Sequence, residues 1–441
     1  MSTYDVVIIG AGPAGLAVAY PLQEQGKRVA IIESDLWGGT CPNRGCDPKK
    51  MLMRGVEVKE AATAMLDSGI DGQVTIDWTK LMAHKRGYTE PVQTSTKQGL
   101  KEANIDTYSG AAAFVDPHTL MIGDQQITGE KIVIATGQRP AVIDIPGQEH
   151  LSSSTDFLDL DQLPQEIVFI GAGYITFELA VIAQAAGAQV HIIHHNQQPL
   201  KGFDQELVTA LVAELSTQGI AFHLDTSPKA LKKEADYYVL ETDKGNFRAD
   251  MVIGATGRIP NVETLQLERA HVEFDQHGVL VDTYLRTNQP HIYAIGDVLS
   301  KQLPKLTPVA SFEAQHVVKV LAGKQEPIQY PLIPTLVFGH LKLARIGVSE
   351  KTIQKNTDQY SSEVIDLSTW YTYQRINDKQ AKMTVVYDQA HNIAALTILS
   401  TLADELINTF VFVLGLDLTK DDLSRMIFAY PTPVSDLSSM I

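Results

Sequence analysis

Residues 4–34 read YDVVIIGAGPAGLAVAYPLQEQGKRVAIIES, and this pattern leaves the chain few options. Residues 4–9 form a short run rich in Val and Ile, which suits a parallel strand buried on both faces. Gly10, Gly12 and Gly15 follow as G-x-G-x-x-G. The first glycine allows a tight turn, the second lets a pyrophosphate approach the backbone, and the third lets the helix pack on the strand. The helix that starts there offers free N–H groups and a partial positive charge to phosphates. Glu33 closes the next strand, where an acid bonds ribose hydroxyls. The spacing predicts a strand–turn–helix–strand unit that binds a dinucleotide.

The pattern recurs at residues 166–195, EIVFIGAGYITFELAVIAQAAGAQVHIIHH. Gly171 and Gly173 are present, and Thr176 stands where the third glycine would be, so this helix must approach its strand less closely. Counted from the first glycine, His194 takes the position of Glu33. A carboxylate there would favour a free ribose 2′-hydroxyl and repel a 2′-phosphate. His194, His195 and Lys201 offer donors or positive charge instead, which predicts NADPH rather than NADH; the bland alternative is two polar histidines at a strand end. Two such units imply two nucleotides, most simply FAD at the first and a nicotinamide at the second. The expected fold is α/β, with two Rossmann-like units inside a 441-residue chain long enough for two to four domains.

Between the first unit and the rest lies GGTCPNRGCDPKK, residues 38–50, holding Cys41 and Cys46, the only two cysteines. The N-terminus carries no basic n-region, and the longest apolar run, residues 6–20, is broken by glycines and is too short to span a bilayer. A cytoplasmic location is therefore expected. Structural disulfides are rare in a reducing compartment, so a close pair of thiols there points to redox chemistry or metal. A structural zinc site needs about four ligands and no histidine pair lies nearby, so no metal is expected. The net charge of −16 argues against nucleic acid or an anionic membrane as a partner.

In a regular helix five residues rise about 7.5 Å, whereas disulfide Cα atoms lie within roughly 7 Å. The two cysteines therefore cannot bridge across an undistorted helix. Pro42 and Gly45 relax or end regular geometry, and Asp47–Pro48 reads as N-cap and first turn of a helix running on through Met53. A helix start near Cys46 would lower its pKa; Arg44 and Lys49 push the same way, and Asp47 opposes them.

With these motifs in order, the chain resembles the class I pyridine nucleotide–disulfide oxidoreductases, the group of glutathione reductase, lipoamide dehydrogenase and mercuric reductase. IVIATGQRP (132–140) and MVIGATGRIPN (251–261) resemble that family's domain-linking segments. TNQPHIYAIGD (287–297) resembles its second FAD motif, and LTPVA (306–310) and YPLIPTLVF (330–338) its lead into a dimerisation domain. The resemblance implies an FAD domain from 1–150 plus 279–326, an inserted nucleotide domain, 151–278, and an α+β interface domain, 327–441. It implies a homodimer in which C-terminal residues complete the partner's site. It makes Cys46 the thiolate against the flavin and Cys41 the interchange thiol, with electrons passing from NADPH to FAD, to the disulfide and then to substrate. Lys49 matches the lysine beside the flavin and Glu178 the acid that pairs with it; Tyr174 matches the gating tyrosine over the nicotinamide pocket. The implied cofactor-binding set adds Gly39, Thr40, Lys50, Ala135, Thr136, Gly137, Gly257 and Asp297, whose carboxyl matches the ribityl ligand.

The family's C-terminal signature carries a general acid–base histidine oriented by a glutamate. This chain reads IFAYPTPVSDL at 427–437, with Tyr430 and Ser435 in those two places. A phenol is a poor base at neutral pH but can donate to a leaving thiolate or oxyanion; the alternative is a packed interface tyrosine. Tyr20 and Gln315 stand where glutathione reductases carry substrate-binding arginines. The expected activity is reduction of a small disulfide or of a thiol oxidant of the hypothiocyanite type, with an NAD(P)H oxidase or diaphorase acting on oxygen or quinones as the alternative.

Overall fold

The computed structural model describes residues 2–66 and 68–440. The chain divides into two units: residues up to Lys49 with Ala83–Ala141 and Gly257–Gln329, and Lys50–Met82 with Val142–Thr256 and the chain from Tyr330 on.

In the first unit, Ser2–Ile9 is the central strand of a seven-stranded sheet. It pairs in parallel with Val29–Glu33 on one side and Gln125–Ile134 on the other. Val6 to Ile9 are buried along with Ile31, Ile132 and Val133, as a strand covered on both faces requires. Asp106–Ser109 extends the sheet beyond Val29–Glu33, Thr119–Ile122 and Ala112–Asp116 add an antiparallel hairpin, and Ile292–Ala294 pairs in parallel with the end of Gln125–Ile134. The helices Pro13–Glu24 and Thr307–Leu321 pack on one another. The two family-like segments that sequence treats separately meet here: Gln138–Pro140 pairs antiparallel with Arg258–Pro260.

The second unit holds a four-stranded parallel sheet in the order Ile220–His223, Gln189–Ile193, Glu166–Ile170, Met251–Gly254, and a three-stranded antiparallel sheet, Pro228–Lys233, Tyr238–Thr242 and Gly245–Ala249. It also holds a five-stranded antiparallel sheet, Thr335–Val337, Lys342–Gly347, Ile393–Ser400, Lys382–Asp388 and Tyr360–Asp366, covered by the helix Ala403–Gly415 through Leu406, Ile407 and Phe410. Among the described residues no helix is long and apolar enough to cross a membrane.

The two glycine turns are built alike. Gly10 has φ +108° and a Cβ there would stand 2.4 Å from the Ala135 carbonyl oxygen; Gly171 has φ +105° and would meet the Ala255 oxygen at 2.5 Å. They differ at the third position. A Cβ on Gly15 would lie 1.9 Å from the Gly10 oxygen, whereas Thr176 is fully buried in the second copy with a hydroxyl that finds no hydrogen-bond partner among the described residues. Thr176→Val removes that unpaired hydroxyl at constant shape. It should raise stability by about 1 kcal/mol, read as a higher thermal midpoint; a fall would show that the hydroxyl is satisfied in solution.

Candidate active site

The helix Pro13–Glu24 starts immediately after Gly12, with Pro13 in its first turn, where a missing N–H costs nothing. Gly39, at φ +72°, faces Gly12 so closely that a Cβ on Gly39 would stand 2.5 Å from the Gly12 Cα. This bare, two-glycine floor at a helix N-terminus fits a pyrophosphate, which needs backbone N–H groups and no side chain in its path. Glu33 ends its strand with both carboxylate oxygens oriented, one accepting the Ala11 N–H at 2.8 Å and the other the Asp35 N–H at 2.9 Å. Ala135 N–H donates to the Ile9 carbonyl at 2.8 Å, tying the segment 135–137 to the end of the central strand. Thr136 Oγ1 donates to the Asn261 carbonyl at 2.7 Å and Asn261 Nδ2 returns to the Thr136 carbonyl at 2.8 Å. Gly137 and Gly257 flank this crossing: the Asn261 N–H donates to the Gly137 carbonyl and the Ala141 N–H to the Gly257 carbonyl, each at 3.0 Å. Asp297 lies in the turn Gly296–Val298 that follows Ile292–Ala294. Burial raises its pKa, and Arg258, Lys301 and Lys305 pull the other way.

The cysteines stand on either side of a break. Thr40–Arg44 forms one short helix and Cys46–Ala64 the next, with Gly45 between. A Cβ on Gly45 would meet the Thr40 oxygen at 2.8 Å and the Cys41 Cα at 3.0 Å, so only glycine lets the second helix begin this close to the first. That break lets Cys46 come close enough to Cys41 to push its thiol pKa up. Cys41 is half-buried and Cys46 exposed. The helix begins at Cys46 itself, so Asp47 lies inside the first turn and is not the N-cap that sequence suggests. Arg44 forms an ion pair with Asp35.

Cys41 touches more than its partner. Its Sγ donates to Asp47 Oδ1 at 3.7 Å, and Asp47 Oδ2 accepts the Tyr88 hydroxyl at 2.6 Å. The hydrogen bond with Cys46 and burial push the Cys41 pKa up, and the Asp47 charge adds to them; a hydrogen bond with Thr307, the first residue of its helix, opposes them. Tyr88 is pushed up to about 12 by its bond to Asp47, with burial and the Asp47 charge adding to it. Neither Tyr88 nor Thr307 is among the site residues the sequence singles out. Thr307 falls inside the LTPVA segment, but nothing local marks Tyr88, which lies 41 residues from Asp47.

In the second unit Glu178 is 1% exposed. Its Oε2 takes an ion pair from Lys50, and its Oε1 accepts the Phe338 N–H at 3.1 Å. Lys50 Nζ also stands 3.8 Å from the centroid of the Phe338 ring. Lys50, expected among the cofactor-binding residues, is thus a cation held on Glu178, and the neighbouring Lys49 is buried. Gly173 precedes the helix Tyr174–Ala185, and a Cβ on it would meet nothing within 4 Å. Tyr174 is exposed at the first turn. His194 follows directly on Gln189–Ile193, as the motif predicts. Burial first, and the neighbouring His195 second, hold its pKa below the ordinary value. His194 therefore brings an uncharged ring, not the positive charge sequence reasoning allowed it, and exposed Lys201 is left as the cation of that set.

Tyr430 is 70% exposed, and its ring stacks on Tyr371 with centroids 6.1 Å apart. Tyr371, Phe412, Leu416, Met426 and Ile427 of the same unit are exposed as well. Tyr430 is therefore not packed within its own chain.

Two family models match: pyridine nucleotide-disulphide oxidoreductase over residues 4–314, and the dimerisation domain of the same enzymes over 333–440. A glutathione reductase of Burkholderia cepacia is 31% identical, covering 97% of this chain and 96% of its own. A dihydrolipoyl dehydrogenase of Bacillus subtilis is 28% identical, over 97% and 93%. Among solved structures, the Cu(II) complex of the HOCl-induced flavoprotein disulfide reductase RclA from Escherichia coli superposes with a TM-score of 0.90 at 26% identity, covering 100% of both chains.

Proposed function

The chain belongs to the pyridine nucleotide-disulphide oxidoreductase family, and from that premise we propose that it passes electrons from NADPH through FAD to the Cys41–Cys46 pair and on to a small disulfide or thiol oxidant. Members of the family are NAD(P)H-dependent FAD enzymes acting on sulfur. The observation that carries the reading is the pair itself: two cysteines on either side of the Gly45 break, in the unit that also provides the Gly12–Gly39 floor.

FAD would be held by Gly10, Gly12, Gly15, Glu33, Gly39, Thr40 and Asp297, with the segment 135–137 beside them, and when bound it relays two electrons from the nicotinamide to the disulfide. The residues do the rest. Cys46 carries the negative charge of the reduced pair, since Cys41 is the thiol held protonated. Cys41 is the one that exchanges with substrate. The Glu178–Lys50 pair fixes a cation on the same helix one turn beyond Cys46. The nicotinamide nucleotide would lie at Gly171, Gly173 and Tyr174. A 2′-phosphate would be met by Lys201 and His195, while neutral His194 shapes the strand end.

The domain layout follows the family's: an FAD domain of 1–150 with 279–326, a nucleotide domain of 151–278 and an interface domain of 327–441. The exposed apolar side chains around Tyr430 suit a homodimer interface, which would present Tyr430 to the partner's Cys41. Being HOCl-induced, the RclA neighbour suits a thiol-oxidant substrate.

Steady-state oxidation of NADPH and NADH over a panel of disulfides, hypothiocyanite, quinones and oxygen tests this. We expect NADPH to give the higher kcat/KM and a sulfur oxidant to be the fastest acceptor. Turnover of that acceptor should fall at least about tenfold in Tyr430→Phe, the phenol stabilising the departing anion by a hydrogen bond. Faster turnover of oxygen or a quinone, persisting in Cys41→Ser, would make the protein an oxidase or diaphorase instead.

A further inference from the structure

The family's acid–base histidine has no counterpart in residues 427–437, yet the Cys41 sulfur already has a carboxylate beside it within its own unit. We propose that Asp47, fixed by Tyr88, is the proton carrier of the interchange thiol: it holds the proton on Cys41 while the pair is reduced and passes it to the leaving group during exchange. This rests on the reading of Cys41 as the exchanging thiol.

The geometry assigns each part. The two oxygens of Asp47 are divided, Oδ1 accepting from Cys41 Sγ at 3.7 Å and Oδ2 from Tyr88 Oη at 2.6 Å. Asp47 occupies the first turn of Cys46–Ala64, so its carboxylate is anchored one residue from the other thiol. The groups facing the Cys41 sulfur are Cys46 and Asp47 from that helix, Tyr88 from Trp78–Thr89 and the hydroxyl of Thr307. Tyr88 stays a protonated donor across the working pH range, with its pKa at about 12.

A free carboxylate near pKa 4 cannot strip a thiol in a separate step, because the two differ by about five units or more. The transfer must accompany bond formation, when the sulfur loses its basicity. For a sulfur electrophile R–S–X, Cys41 sulfur attacks the substrate sulfur and the S–X bond breaks. The Cys41 proton crosses Asp47 to the departing X, giving Cys41–S–S–R and HX. The Cys46 thiolate then attacks the Cys41 sulfur, forming the Cys41–Cys46 disulfide and releasing RS⁻. Two electrons leave the dithiol and two reach the substrate. X is a thiolate in a disulfide and hydroxide in a sulfenyl-type oxidant. Such a device also keeps Cys41 un-ionised, and so poorly reactive towards weak oxidants, until a good leaving group is presented.

Alkylation by iodoacetamide as a function of pH tests this in the full-length holoenzyme carrying Cys46→Ser, where Cys41 is the one thiol left. Adding Asp47→Asn should lower the alkylation midpoint by about one pH unit, roughly tenfold faster labelling near neutral pH. Adding Tyr88→Phe should shift it the same way by less, because Asp47 is then unanchored. With both cysteines present, Asp47→Asn should slow turnover at least about tenfold. A thiol that labels faster while the enzyme turns over more slowly is not what a structural role for Asp47 produces. An alkylation profile unmoved in both variants, or moved upward, overturns the proposal. Labelling needs neither nicotinamide nor oxidant, so this result is read independently of whether the proposed substrate class is right.

Discussion

Serine at Cys41 or at Cys46 lowers turnover of the sulfur oxidant by on the order of 10³-fold or more, with the fold and the flavin retained. The two losses differ in kind. Cys46→Ser leaves Cys41 able to form a mixed disulfide with substrate but with no neighbour to resolve it, so the adduct accumulates and is detected by mass spectrometry. Cys41→Ser leaves a thiolate with no route to substrate, so no adduct forms. The proposed roles rest on an asymmetry of the pair: Cys41 is the half-buried thiol that donates to Asp47, and Cys46 is the exposed one. The reverse pattern of adducts would exchange the two roles.

Gly15→Ala is the largest expected loss outside the thiols. The new Cβ would stand 1.9 Å from the Gly10 carbonyl oxygen and 3.3 Å from Ile8 Cγ2. Backbone cannot yield as a flexible side chain does, so the helix Pro13–Glu24 must move off the strand Ser2–Ile9. The strain costs about 3 kcal/mol or more and opens the phosphate floor at Gly12. The variant should purify without flavin and melt well below the unsubstituted protein. The corresponding position of the second unit carries Thr176, buried without obstruction, so Thr176→Ala should leave flavin content unchanged. Flavin retained at full occupancy in Gly15→Ala would show that the first turn is not the dinucleotide cradle.

Much of this was legible in the sequence because it is local. The strand ending at Ile9, the turn at Gly10 and the acid at Glu33 follow from residues within one βαβ unit, and the structure has them in those places. The same holds for the distorted backbone between the cysteines, forced by the mismatch between a five-residue rise and disulfide reach. Pairings across long stretches of chain were not legible. That Lys50 pairs with Glu178, 128 residues along the chain, depends on tertiary packing. That Tyr88 bonds Asp47 depends on the packing of a helix far along the chain. The neutrality of His194 comes from burial, which a strand-end position in sequence does not reveal. Arg44 pairs with Asp35, a contact no local pattern marks.

The central claim is that electrons reach substrate through this dithiol. Anaerobic titration of the holoenzyme with NADPH tests it most directly. After two electrons, a broad long-wavelength absorption from the Cys46 thiolate against the flavin should rise in the unsubstituted protein; in Cys41→Ser, where no disulfide can form, it should be present before reductant is added and bleach with the flavin; in Cys46→Ser it should be missing throughout. Bleaching of the flavin with no such band, at any stage of the titration, would contradict the account.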